Sequence, residues 1–192
     1  AINNFAVREA RGEYLLFLNN DVEIITESWL EEMLQLCQQK DVGMVGAKLY
    51  YPDDTIQHAG VVVGLGGVAA HVLCKLPRDA EGYMGRLRCV QEISAVTAAC
   101  MMVKTSVFKA VGGFDEELKV AFNDIDLCMK VRKYGVKIVF TPYAELYHYE
   151  SKSRGMEDTP EKQLRFSREV NCFRRKWERE LLKGDPYYNP HL

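Results

Sequence analysis

The chain has 192 residues with 25 Lys and Arg against 27 Asp and Glu, a net charge of -2, so no global surplus of charge marks a nucleic-acid partner or an acidic, solvating tail. Its length and 47% hydrophobic content allow one sizeable core, read as one domain with a helical tail. No apolar run reaches the ~20 residues that span a bilayer, and the first residues lack the charged start and apolar core of a signal peptide.

Ala6, Val7 and Ala10 predict a helix over 1–11 that Gly12 stops. The chain begins inside this pattern without Met, which predicts a piece of a longer protein. Residues 13–18 form an apolar strand that runs into Asn19, Asn20, Asp21 and Glu23. Polar groups at such a strand end lie where α/β proteins gather ligands. Ser28 and Glu31 have capping-box spacing ahead of the stripe Trp29, Leu30, Met33, Leu34 and Cys37. A second strand is expected over 42–50, turned by Tyr51-Pro52-Asp53-Asp54. Residues 60–85, Gly- and Val-rich at their start, read as loops. Residues 93–103 are small and β-branched, a strand pattern, and 106–111 a short helix ended by Gly112-Gly113.

Asn123 is placed to cap a helix over 124–134, with Arg132 and Lys133 in its last turn and Gly135 beyond it. Residues 136–141 form a strand closed by Pro142. Thr159-Pro160 opens a final helix to about Leu182, with the stripe Leu164, Val170, Phe173, Trp177 and Leu181 and a basic remainder. Alternating strands and helices predict an α/β fold with a mostly parallel sheet flanked by helices.

Several residues could carry chemistry. Asp21 can offer an oxygen to Mg²⁺ or Mn²⁺, hard cations that keep positions open for phosphates, although Asp also forms ordinary turns. Asp124 and Asp126 complement a helix dipole, yet one can cap while the other enters a cleft as a general base. His148, His58 and His71 each fit a structural hydrogen-bonding role as well as a functional one. Ser151 to Gly155 offers hydroxyls and cations suited to phosphate oxygens, a composition a solvated loop shares. The six cysteines contain no CxxC pair and read as small buried hydrophobes in a reducing cytosol.

Five segments taken together resemble a known family: NNFAVREARGEYLLFLNND, IQHAGVVVG, AVTAACMMVKTSVFKAVGGFDE, FNDIDLCMKVRKYG and IVFTPYAELYHYESKSRG. They are similar to the inverting family 2 glycosyltransferases of the GT-A fold, above all the bacterial branch with rhamnosyltransferases and other surface-polysaccharide enzymes. The resemblance implies a metal, Mg²⁺ or Mn²⁺, on Asp21 and His148, with Asn19 where the Asp-x-Asp motif has its first acid. It implies a nucleotide-sugar donor (a UDP- or dTDP-sugar) on Asn4, Asn19, Asn20, Ser151, Lys152 and Arg154. Thr97, Ala98 and Asn123 would line the side of a saccharide or lipid-linked acceptor, and Asp124 would be the base.

The family's opening strands, which end in Pro-x-Tyr-Asn and in nucleoside-holding acids, have no counterpart here. Residues 1–158 are therefore expected to be an N-terminally truncated GT-A domain, and 159–192 a C-terminal helix and tail packed on it. The chain alone is expected to have weak or no activity, and its shortened sheet an edge that a second copy could cover. A cytoplasmic location is expected, with the basic final helix packed on the domain in preference to lying at the inner face of the membrane. Two other readings stand beside the enzyme: a non-catalytic sugar-binding module of the same fold, and a metal-dependent phosphohydrolase, for which the ligands are too few. Convergence of Asp21, Asp124 and His148 on one cleft favours the transferase.

Overall fold

Leu15 and Phe17 alternate with half-exposed Tyr14 and Leu16, the period of a strand that presents one face to the core. They form β1 (Tyr14–Leu18) after α1 (Ile2–Glu9). The structure is a computed structural model and describes residues 2–150 and 159–189. The chain continues through β2 (Val22–Ile24), α2 (Trp29–Cys37), β3 (Val42–Tyr50), β4 (Ile56–His58), β5 (Val61–Val63), β6 (Ala69–His71) and β7 (Gln91–Glu92). It then forms β8 (Cys100–Lys104), α3 (Thr105–Ala110), α4 (Asn123–Tyr134), β9 (Lys137–His148), α5 (Pro160–Lys176) and α6 (Glu178–Lys183).

The main sheet has the order β1-β8-β3-β9-β2, with β4 also on β3 and β7 on β9. It is mixed, which corrects the mostly parallel expectation. Only β3 and β9 run parallel, and the other described pairings are antiparallel. The cause is local: β8 is entered from the irregular segment 93–99 and not from a helical crossover, so it returns antiparallel between β1 and β3. On one face Trp29, Met33 and Cys37 of α2 meet Val45, Ala47, Leu49 and Leu146. On the other, Phe108, Leu127, Val131, Phe173 and Trp177 share a second core with Met44, Phe17 and Phe140. Phe173 and Trp177 come from the C-terminal segment, each burial contributing about 2–3 kcal/mol, and Arg174 Nε donates to the Gly67 carbonyl at 3.0 Å. No helix among the described residues is long and apolar enough to cross a membrane.

Four local readings change. Ser28 precedes α2 without a side-chain cap; backbone bonds from Trp29 to Thr26 and from Glu32 to Ser28 start the helix instead. Residues 60–85 contain the β5–β6 hairpin, whose strands are too short to show a period. Residues 93–103 are a strand only from Cys100 on. Pro142 does not close β9: the register jumps from Gly46–Phe140 to Lys48–Glu145, a bulge in which the missing N–H is tolerated. The strand therefore continues to His148, and that continuation delivers the histidine to the sheet end.

Three cysteines, Cys37, Cys100 and Cys128, are buried, Cys74 and Cys172 half-buried, and Cys89 exposed. Burial pushes the thiols of Cys37 and Cys100 up to about 11 and about 12, so they pack as hydrophobes.

Candidate active site

The turn after β1 and the end of β9 are brought together by β2. Val22 pairs with His148, and Tyr149 N donates to the Asp21 carbonyl at 2.8 Å. This places His148 Nε2 at 3.3 Å from Asp21 Oδ1 and 3.0 Å from Asn19 Nδ2.

The tautomer of His148 follows from its partners. Gln57 Nε2 faces two acceptors, the His148 carbonyl at 3.2 Å and Glu150 Oε2 at 3.4 Å, so its Oε1 is the atom 2.7 Å from His148 Nδ1. Nδ1 therefore donates, and in the neutral ring Nε2 carries a lone pair. That lone pair accepts from the Asn19 amide and looks across to a carboxylate oxygen, an arrangement completed by a proton or a cation.

A divalent cation fits the donor set. Two neighbouring ligands of an octahedral site with bonds of about 2.1 Å lie about 3 Å apart, close to the 3.3 Å observed. Gln57 supplies the outer hydrogen bond that metal-binding histidines use. Among the described residues no group of three or more His, Cys, Asp or Glu gathers as a metal cage. Such a cation would thus need further oxygens from a ligand or water.

Asp124 reaches the same region from α4. Its Oδ2 accepts from Ala98 N at 3.1 Å and its Oδ1 from Ile125 N at 2.9 Å, while Ala99 O accepts from Asn19 N at 3.0 Å. The bond to Ala98 is one rung of a ladder: Cys128 Sγ meets Val96 N at 3.4 Å and Arg132 Nη1 donates to Ser94 Oγ at 3.1 Å. Four helical residues rise about 6.0 Å and two extended residues about 6.6 Å, so every helical turn meets every second residue of 94–98. Gly46 lets this segment cross β3, since a Cβ there would stand 2.3 Å from Val96 Cγ1.

The C-terminal helix holds the other side of the Asp124 turn. Glu169, 3% exposed, accepts from the amides of Lys119, Val120 and Ala121 at 2.9, 3.1 and 2.8 Å. Phe122 follows in a left-handed conformation with φ 61°, which costs about 1–3 kcal/mol, and its ring packs against Phe166 and Phe173. Asp126 is fully buried and accepts from Trp177 Nε1 at 2.8 Å, with Lys176 Nζ at 2.7 Å and Lys130 Nζ at 3.1 Å. Of the two acids, Asp126 is structural and Asp124 is half-buried.

The other residues that the sequence nominates divide. Thr97 Oγ1 accepts from Ala99 N at 3.3 Å in the turn beside Ala98. Asn123 begins α4 and does not cap it; its Nδ2 donates to Val120 O at 3.1 Å. Asn20 is exposed at the turn after β1. Asn4 is engaged elsewhere: its amide brackets Phe114, accepting from N and donating to O at 2.9 Å each, and this ties α1 to the loop after α3. Ser151, Lys152 and Arg154 lie outside the described residues. Sequence reasoning missed Gln57 and Glu169 as site-shaping groups; the QHAG text was the one signal for Gln57, and Glu169 shows none.

A depression of about 1130 Å³ lies apart from these residues and is lined among others by Lys48, Tyr50, Arg78, Tyr143 and Glu145. Its charges answer one another: Glu145 accepts from Tyr50 and pairs with Arg78 at 3.2 Å.

Residues 1–169 match the family model described as a glycosyltransferase-like family. The chain is 57% identical over its whole length to the uncharacterized protein y4gI of Sinorhizobium fredii, and 42% identical to the O-antigen biosynthesis protein RfbC of Myxococcus xanthus. It spans 21% and 15% of those two proteins. Among solved structures, GalNAc-T7 with UDP, GalNAc and Mn²⁺ superposes with a TM-score of 0.60 at 12% identity, over 82% of this chain and 31% of that one. A mannosyltransferase of Pyrobaculum calidifontis with GDP-Man and Mn²⁺ gives 0.57 at 16% identity, over 92% and 42%. The fold is that of GT-A glycosyltransferases.

Proposed function

The chain belongs to the glycosyltransferase-like family, and on that footing we propose that it forms the metal-, acceptor- and base-bearing part of an inverting glycosyltransferase in bacterial surface-polysaccharide synthesis. The observation that carries this reading is the 3.3 Å approach of Asp21 to the lone pair of His148, next to the segment before β8 whose Ala98 amide holds Asp124. The relative named for O-antigen biosynthesis supports the pathway class. The solved neighbours, bound to UDP or GDP-Man with Mn²⁺, support a nucleotide-sugar donor and a divalent cation.

Asp124 is the base. Two backbone amides hold its carboxylate and leave lone pairs on both oxygens for the proton of an acceptor hydroxyl. The hydroxyl oxygen then attacks the anomeric carbon opposite the departing nucleoside diphosphate, one displacement that inverts configuration. A divalent cation on Asp21 and His148 would supply charge neutralisation on that leaving group. Asn19 Nδ2, once parted from Nε2, is an N–H donor for a phosphate oxygen. UDP- and dTDP-sugars are the donors to try first, with saccharide or lipid-linked acceptors.

The non-catalytic alternative rests on Asn19, whose amide occupies the His148 lone pair where the family has an acid. Sugar transfer by the full-length protein separates the two. Asp124→Asn is expected to lower kcat by about a hundredfold or more with donor affinity retained, and an unchanged kcat would overturn the assignment of the base.

A further inference from the structure

His58 and His71 have no role in the chemistry above. His58 ends β4 and is fully buried; His71 ends β6 and is exposed. Their Nδ1 atoms are 2.9 Å apart and their rings nearly perpendicular at 84°. Thr97 N, which can only donate, points to His58 Nε2 at 3.5 Å. That nitrogen is therefore bare, and the single proton of a neutral buried imidazole sits on Nδ1. His58 then donates to His71 Nδ1, which leaves the proton of His71 on Nε2. The pair is a one-way chain of donors from the Thr97 backbone to the exposed ring of His71.

The chain is tied to the base by geometry: Thr97 precedes Ala98, whose amide donates to Asp124 at 3.1 Å. Desolvation beside His58 lowers the proton affinity of the His71 ring although the residue is exposed at its edge, the Asp124 and Glu150 carboxylates oppose that effect, and His148 reinforces it. The burial of His58, with His71 and His148 nearby, holds that ring neutral, as the chain requires.

We propose that His71 is an acceptor-binding residue whose Nε2–H donates to a hydroxyl oxygen of the saccharide that Asp124 deprotonates. This rests on Asp124 being the base. A carboxylate and a fixed N–H donor joined to one hydrogen-bonded segment suit a polyhydroxyl ligand: the carboxylate takes the proton of one hydroxyl, and the N–H binds the oxygen of another. His58 is a positioning residue that fixes the direction of the donor.

The test is long-range ¹H–¹⁵N NMR of the histidine rings of this chain, with methyl α-D-glucopyranoside at high concentration as the saccharide probe. The expected result is Nδ1–H for His58 and Nε2–H for His71, with the His71 Nε2–H and Ala98 amide signals moving as the probe is added. His71→Ala should weaken the probe by about tenfold, and His71→Gln, which keeps an N–H donor, by about threefold. An Nδ1–H or rapidly averaged His71, or a His71 that the probe leaves unmoved, overturns the proposal. Asp124→Asn turnover is read separately in the full-length protein. If that variant keeps its turnover, the base assignment and with it the deprotonation by Asp124 fail; if turnover is lost while the probe leaves His71 unmoved, His71 fails alone.

Discussion

Ala98 donates its amide proton to Asp124 at 3.1 Å, and this bond joins the segment before β8 to the first turn of α4. Everything that orients the carboxylate acts through that turn, from the rungs at Cys128 and Arg132 to the loop held by Glu169. The geometry separates two acids that lie two residues apart, and that separation can be measured.

Asp126→Asn should lower the unfolding free energy by about 3 kcal/mol, because it leaves Lys176 and Lys130 beside a neutral amide in a fully buried site. Asp124→Asn should change it by less than about 1 kcal/mol, since the new amide oxygen can still accept from a backbone N–H. Urea unfolding of both variants checks the contrast, and equal losses would contradict it.

Glu169→Ala strips three amides of the buried carboxylate that accepts from them, a loss of about 3 kcal/mol. Hydrogen exchange should speed up at Lys119, Val120 and Ala121 before it does in the sheet. Protection unchanged at those amides would show that the aromatic contacts of Phe122 suffice to hold the loop.

His58 gives stability a pH dependence of known sign. Burial, then His71 and His148, hold its folded pKa well below the 6.5 of a free imidazole, so below pH 6.5 the unfolded chain binds the extra proton. Stability from this group is complete above about 6.5 and falls as pH drops, by about 1.4 kcal/mol per unit. Thermal melts from pH 7.5 to 5.5 should show that slope in the wild type and a smaller one in His58→Gln.

Gln57→Leu removes the acceptor that keeps the His148 proton on Nδ1 and should weaken divalent cation binding by about ten- to a hundredfold. Calorimetric titration of Mn²⁺ in the presence of UDP reads this. Unaltered affinity would mean that the ring does not depend on Gln57 for its tautomer.

Much of this architecture can be read from the residues, and the remainder has physical reasons for staying hidden. The strand at 42–50 and the helix ending at Tyr134 stand out because their periods are long and Gly43 and Gly135 sit near clear chain turns. Strand direction did not stand out, because antiparallel return of β8 depends on the path of 93–99, which has no repeat. The three-residue strands β2, β5 and β6 are shorter than any period. For the site, the strand-end text marked Asp21 as a metal candidate and the family resemblance paired it with His148. Gln57, His71 and Glu169 act through hydrogen bonds to residues distant in sequence, and their neighbours in sequence say nothing of that. The Pro142 bulge hid the end of β9 for a similar reason: a proline stops a regular strand, and only the β3 register shows that it is stepped over.

The most direct measurement is paramagnetic broadening of the NMR spectrum by substoichiometric Mn²⁺, which detects weak binding at a defined place. The Asn19 side-chain amide, the His148 ring and the Tyr149 amide should broaden first in the wild type and lose that selectivity in Asp21→Ala. Broadening spread over surface carboxylates, or the same pattern in the variant, would contradict a cation site on Asp21 and His148.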